Sequence, residues 1–147
     1  MGASAIRIQL MKHFFIHSAL GLASVCVASA ADTPESVCSA LSEGLCKQQE
    51  ILAGVTDAGS AAAAVGALQD NFRYLNSLHE RVETNDLWRH IENTPELKNR
   101  LIGYLQQITI HLMRMEKADF YGCAELKSLL EPMLNASSSR PDEEQPE

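Results

Sequence analysis

The sequence predicts an all-α fold, in which an antiparallel helical hairpin, a third long helix and a short fourth helix form a three- or four-helix bundle. Two stripes of apolar side chains support this prediction. Both recur at steps of three and four residues, the spacing of one helical face. An amphipathic helix is stable only when other helices cover its stripe, so we expect the two to pack together. The stripes are Ala61, Val65, Leu68, Phe72, Leu75, His79 and Val82, and Leu97, Leu101, Leu105, Ile108, Leu112 and Met115.

The first thirty residues are expected to form a secretory signal peptide. Lys12 gives a basic start, residues 14–27 are almost uninterruptedly apolar, and residues 28–30 supply small side chains before a cleavage point. The apolar run is shorter than the roughly 20 residues that cross a bilayer. Met11 is an alternative start to Met1, because the signal is complete from there. We therefore expect an exported protein, periplasmic or secreted, with no stable membrane insertion after cleavage.

The charge of the chain limits its partners. The formal net charge is −7, and loss of Arg7 and Lys12 with the signal peptide lowers it by two, to −9. Nucleic acids and anionic membrane surfaces bind clusters of Lys and Arg side chains. We therefore expect neither of them as a partner.

The first helix is predicted to run from Pro34 to about Val55. Thr33 can cap it, Pro34 fits its first turn, and Glu35 suits the positive end of the helix dipole. Gly44 weakens the prediction of one continuous helix, because glycine is unfavourable in a helix interior. The expected core residues are Val37, Leu41, Leu45, Leu52 and Val55.

A short link at residues 56–59 joins this helix to the second one. Ser60 or Asp57 is expected to cap the second helix, which ends near Thr84. Because the link is short, the two helices should be antiparallel neighbours. A short turn of helix at 86–92 then leads to the third long helix.

The third helix is predicted over residues 95–118, after a second Thr-Pro-Glu capping sequence. Ile102 and Ile110 broaden its apolar face, which predicts the most buried helix of the bundle. Residues 118–122 interrupt the helical pattern, and a last helix is expected at 123–134.

The chain therefore divides into three parts. Residues 1–30 form the signal peptide, and residues 31–135 form the helical bundle domain. Residues 136–147 are rich in Ser, Pro and Glu and are expected to form a disordered acidic tail.

Two stretches of the chain carry characteristic motifs. In ILAGVTDAGSAAAAVGAL at 51–68, a helix ends in an Asp-containing turn before a Ser-Ala start. In ADFYGCAELKSLL at 118–130, a Tyr-Gly pair precedes the last helix. With these motifs, most of residues 45–134 resembles a group of small exported bacterial helical proteins of unknown function. The resemblance implies no catalytic residue, and the group usually lacks a cysteine at the position of Cys123.

Three cysteines follow the signal peptide: Cys38, Cys46 and Cys123. An exported protein can form disulfides, and an odd count leaves one thiol over. On one continuous helix Cys38 and Cys46 lie about 12 Å apart along the axis, too far to bond, so either could reach only Cys123. A break at Gly44 would instead allow a bond between Cys38 and Cys46. Of these alternatives we favour a Cys46–Cys123 disulfide.

His79, His111 and Met115 are candidate ligands of a soft metal or a haem. They could converge inside the bundle, because His79 lies in the apolar series of the second helix while His111 and Met115 share a face of the third. The alternative is that the histidines are boundary residues and Met115 fills the core, which is the commoner use of such side chains. No Cys-x-x-Cys-His sequence is present, which excludes covalent haem. We expect no cofactor and keep a ligand- or metal-binding bundle as the second hypothesis.

The sequence contains no catalytic motif. It has no Gly-rich phosphate loop, no nucleophile elbow and no His-Glu-x-x-His. Ser60 is explained as a helix cap, and Cys46 and Cys123 lack the spacing of a thiol oxidoreductase. We therefore expect that the protein is not an enzyme.

Three aromatic residues are candidates for partner binding: Trp88, Phe120 and Tyr121. Aromatic side chains and arginine are enriched in binding hot spots, and Arg89 follows Trp88. The alternative is that all three pack within the bundle.

The third helix has more apolar surface than one hairpin covers. Ile102, Ile110 and Met113 lie outside its main stripe. Together with the scattered polar chemistry, this favours a non-catalytic exported protein that self-associates or binds another envelope or secreted protein.

Overall fold

The computed structural model describes residues 33–84 and 86–138, and this part of the chain consists of helices joined by short links. The predicted all-α helical bundle is therefore confirmed. In chain order the elements are α1 (Pro34–Ala53), α2 (Ala58–Ser77), α3 (His79–Thr84), α4 (Leu87–Asn93), α5 (Pro95–Lys117), a 3₁₀ turn (Asp119–Gly122) and α6 (Ala124–Ser138).

Some predictions concern the two ends of the chain. The signal peptide at 1–30 and the tail from residue 139 onward lie outside the described residues. Residues 136–138, which the prediction assigns to the tail, belong to α6. Within the described ranges, none of the helices combines the length and the apolarity that a membrane span requires.

The first two long helices begin with capping boxes. At α1 the Ser36 amide donates to Thr33 Oγ1 (3.2 Å) and the Thr33 amide donates to Ser36 Oγ (3.1 Å). At α2 the Asp57 amide donates to Ser60 Oγ (3.0 Å). The Ser60 amide in turn donates to Asp57 Oδ1 (2.8 Å), which lowers the pKa of that carboxyl. These bonds satisfy donors that helix geometry leaves free, so local sequence fixes both N-termini.

Helices α1 and α2 cross at Gly44, which lies inside a continuous α1. The buried Asn71 side chain donates its amide to the Gly44 carbonyl (3.0 Å), and the Tyr74 hydroxyl donates to the Ala40 carbonyl (3.4 Å). These bonds pair the early part of α1 with the late part of α2, so the two helices run in opposite directions. A Cβ at Gly44 would overlap the Leu75 side chain. Gly44 therefore does not break α1 but lets the two helices approach closely.

The second rod of the predicted hairpin is interrupted. Helix α2 ends at Ser77 and α3 starts at His79, so residues 60–83 do not form one helix. Leu78 is fully buried, whereas His79 is exposed. A helical stripe can continue from Leu75 at either the third or the fourth following residue, and the apolar Leu78 takes the core position. The prediction that His79 lies on the apolar face is therefore wrong.

One arginine joins α5 to the end of α1. Arg114 Nη2 donates to the carbonyl oxygens of Leu52 (3.0 Å) and Val55 (2.8 Å). These carbonyls lie at and just beyond the C-terminus of α1, which carries partial negative charge, and the guanidinium compensates for that charge. The inner side of α5 is buried in the bundle through Leu101, Leu105, Ile108, Leu112 and Met115.

The turn between α5 and α6 is left-handed. Four consecutive residues have positive φ: Asp119 (46°), Phe120 (51°), Tyr121 (55°) and Gly122 (76°). Glycine adopts such angles freely, whereas each other residue costs about 1–2 kcal/mol. The Tyr121 amide donates to the Ala118 carbonyl (2.9 Å), and the Cys123 amide donates to the Phe120 carbonyl (3.0 Å). Phe120 is only 3% exposed, so its burial in the core holds the strained turn in place.

Gly44→Ala is expected to lower the free energy of unfolding by about 1–3 kcal/mol, because the new methyl group overpacks the crossing of α1 and α2. Gly66→Ala is the matched control, since Gly66 is exposed on α2 and nothing lies within 4 Å of an added Cβ. There the substitution should raise stability by roughly 0.5–1 kcal/mol, because alanine is the better helix former. Urea denaturation followed by circular dichroism measures both. Equal stabilities of the two variants would contradict a close crossing.

Candidate functional site

The three candidate metal ligands do not share one accessible site. His79 is exposed on α3, His111 is half-buried on α5, and Met115 is fully buried in the core. A side chain directed to solvent and one enclosed in the core cannot line the same open cavity. In the described part of the chain, no group of three or more His, Cys, Asp or Glu side chains is arranged to hold a metal ion.

His111 has an environment that favours its neutral form. Its burial, and secondly the positive charge of Arg114 on the same helix, lower the pKa of the imidazole from its ordinary value of 6.5. Its Nδ1 atom is buried and finds no hydrogen-bond partner among the residues described. Arg114 itself is occupied by the carbonyl groups at the end of α1. His111 therefore contributes to the packing beside this arginine.

All three described cysteines are free thiols, so the predicted Cys46–Cys123 disulfide is not formed. The reason lies in where the two residues sit along α5. Cys46 meets Tyr104 of that helix, whereas Cys123 follows the turn beyond its end at Lys117. The thirteen helical steps from Tyr104 to Lys117 rise about 20 Å, far more than the separation that a disulfide spans.

A cleft of about 550 Å³ lies between α1 and α5. Two carboxylates and two cationic side chains line it, together with a thiol and a phenol. The formal charges of its side chains therefore cancel. The lining residues are Ser42, Glu43, Cys46, Lys47 and Glu50 of α1 and Arg100 and Tyr104 of α5.

The thiol of this cleft is paired with a carboxylate. The Cys46 thiol donates to Glu50 Oε1 (3.8 Å). A hydrogen bond to Cys46, and then partial burial, raise the pKa of the Tyr104 phenol, which therefore stays protonated. No sequence motif predicted this cleft between α1 and α5. The only local signal was a pair of four-residue spacings, Cys46 to Glu50 and Arg100 to Tyr104.

The aromatic candidates for partner binding are partly or wholly buried in the bundle. Phe120 is 3% exposed and belongs to the core, so the hypothesis that it binds a partner is wrong. Trp88 and Tyr121 are half-buried and pack against that core.

The outer side of α5 carries an apolar surface, which we call the α5 face. It consists of Ile110, which is 55% exposed, and Met113, which is 49% exposed. Residues three apart are neighbours on a helix, so these side chains form one patch. One turn to either side, Gln106 and Lys117 are exposed and polar. An apolar centre with a polar rim is the composition of a protein-binding surface.

Comparisons with known proteins gave no relative of this chain. No protein-family model matches it, and neither does any curated protein or solved structure. Its function therefore has to be inferred from its own side chains.

Cys38 is expected to react with iodoacetamide at least ~10-fold more slowly than Cys46 and Cys123 at mildly alkaline pH. Cys38 is 3% exposed, and burial, with a smaller effect of the nearby Glu35 carboxylate, raises its pKa to about 11. The other two thiols are half-buried. Peptide mass mapping of labelled, non-reduced protein measures all three rates. Recovery of a Cys46–Cys123 peptide pair would contradict the free thiols.

Arg114→Met is expected to lower the free energy of unfolding by about 2–3 kcal/mol, because the end of α1 loses charge-assisted hydrogen bonds. It should also raise the pKa of His111. A lowered folded-state pKa means that the unfolded chain binds more protons below pH 6.5, so stability falls as the pH drops through that region. In Arg114→Met this loss should be smaller.

Arg114→Lys is the matched control, because it keeps the positive charge but not the forked donor geometry. It should lose part of the stability and keep the low pKa of His111. Urea denaturation above and below pH 6.5 and an NMR titration of His111 measure the two effects. An unchanged unfolding free energy in Arg114→Met would show that its bonds to α1 are not stabilising.

Proposed function

We propose that the protein is a non-catalytic exported helical protein that acts by protein–protein interaction, with a second copy of itself as the first partner. In this proposal the antiparallel hairpin of α1 and α2, the long α5 and the short α6 are a scaffold that presents the α5 face. The observation that carries it is the joint exposure of Ile110 and Met113 on a helix whose opposite side supplies core residues. Another envelope or secreted protein is the alternative partner.

The size of the α5 face sets the strength of the interaction. Scattered single hydrophobic side chains are normal on a protein surface, but two large ones on adjacent turns form a continuous apolar area. Two such residues per copy provide less than the area of a stable, permanent interface. We therefore expect weak and reversible association.

The distribution of chemical groups argues for an interaction role over catalysis. The thiol in the cleft is hydrogen-bonded to a carboxylate, and the imidazole on α5 is held beside an arginine. No histidine lines the cleft, so its thiol lacks the imidazole partner that most cysteine nucleophiles have. The acidic charge of the chain also supports a protein partner over nucleic acid.

The double variant Ile110→Ser, Met113→Ser is expected to abolish the rapid, reversible self-association that the α5 face mediates. The reason is that it replaces the apolar centre of the α5 face by hydroxyl groups while leaving the core untouched. Sedimentation velocity over a range of protein concentrations measures the effect. Ala63→Ser with Ala67→Ser is the control, because these side chains are exposed on α2, away from the face. A wild-type protein that stays monomeric at all concentrations, like both variants, would overturn self-association through this face.

A further inference from the structure

The 3₁₀ turn before α6 is a strained hinge. Asp119, Phe120 and Tyr121 all adopt the left-handed conformation that side-chain-bearing residues avoid. The strain persists because Phe120 is buried and because Lys127 Nζ pairs with Asp119 Oδ1 (3.2 Å) across the hinge. If these four residues became right-handed, α5 and α6 would join into one continuous helix. The left-handed strain would then be relieved.

Helix α6 packs over a groove in which one buried polar side chain is only partly satisfied by hydrogen bonds. Gln48 of α1 is fully buried beneath it, and its Nε2 atom reaches only the Met133 sulfur (3.8 Å). A thioether is a weak acceptor. The Gln48 Oε1 atom is also buried and accepts no hydrogen bond from any described residue. Pro132 further removes one donor from α6 itself. These features lower the free energy needed to lift α6 from its groove.

We infer that the protein forms a domain-swapped dimer, in which α6 of each copy leaves its own groove and fills the same groove of a second copy. The groove is known to fit α6, because it already binds this helix within one chain. Buried Leu126, Leu130 and Met133 would make the same contacts in the partner. The inference rests on the proposed function in taking a second copy as the partner, but it uses the hinge and not the α5 face.

The balance between monomer and swapped dimer depends on the hinge. Both forms bury the same surfaces of α6, so these contacts cancel in the comparison. What remains is the strain at residues 119–122, which favours the dimer, against the burial of Phe120 in the closed turn and the entropy lost on association. Short hinges under strain are known to promote this kind of exchange.

Gly122→Ala tests the hinge directly. Gly122 has φ +76° and open space around an added Cβ, so alanine adds strain to the closed turn without a clash. Each dimer contains two hinges, so the dimerisation constant should rise at least ~10-fold. Gly103→Ala, a substitution within α5 that also has open space, is the control and should leave that constant unchanged. Light scattering on samples refolded at matched concentrations gives the dimer fraction.

Asp119→Gly should act in the opposite direction, because glycine removes strain from the closed turn, and the dimerisation constant should fall ~10-fold. Lys127→Gln deletes the same exposed ion pair without changing the turn, and it should not lower that constant. This pair keeps the test decisive if Gly122→Ala does not fold. Equal dimer fractions for wild type, Gly122→Ala and Asp119→Gly would overturn the swap.

The two association modes are separated by adding Ile110→Ser and Met113→Ser to Gly122→Ala. A swapped dimer survives these changes and exchanges subunits slowly, because α6 must first undock. Mixing isotope-labelled and unlabelled dimers and following heterodimers by native mass spectrometry measures that exchange. Loss of the dimer in this variant, or exchange complete on mixing, would assign association to the α5 face and overturn the swap.

Discussion

The close crossing of α1 and α2 at Gly44 is the constraint on which the rest of the bundle depends. Packed helices with ordinary side chains at their contact lie about 8–10 Å apart. At Gly44 no side chain intervenes, so Leu75 packs against the α1 backbone and Asn71 reaches its carbonyl oxygen. This contact fixes the register of the hairpin. The carbonyls at the end of α1 then lie where Arg114 of α5 binds them, so the third long helix is aligned by the first two.

The helices were predictable where local chemistry defines them, and not where a distant residue does. The caps at Thr33 and Asp57 located the starts of α1 and α2 to within a few residues. Pro95 and the three-and-four spacing located α5, although Thr94 makes no side-chain cap hydrogen bond there. Gly44 was misleading because a glycine in a helical pattern can mark either a helix break or a close contact with another helix. The residue that it contacts, Leu75, lies far along the chain, so the sequence around Gly44 does not show which applies. The break at Leu78 was missed because two neighbouring residues can continue one stripe, and spacing alone does not choose between them.

Some features of the candidate site were likewise predictable from the sequence, and others were not. The exposure of Ile110 and Met113 follows from their places on a helix whose opposite side is apolar, so sequence spacing was sufficient. The cleft of Cys46 and Tyr104 depends on how α1 lies against α5, which no local pattern encodes. The left-handed turn contradicts the preference of its own non-glycine residues. Burial of Phe120 overrides that preference, and such an override is invisible without the fold.

The two buried amides explain why the contacts of α1 differ in strength. Each keeps one side-chain oxygen without a partner in the described chain. Asn71 donates to a carbonyl, a strong acceptor, where α1 meets α2, and the short link between these helices keeps them together. Gln48 donates only to a sulfur where α1 meets α6, and that helix is reached through a strained turn. Polar groups buried between helices therefore hold the two helices of the hairpin together more strongly than they hold α6, although both contacts are largely apolar.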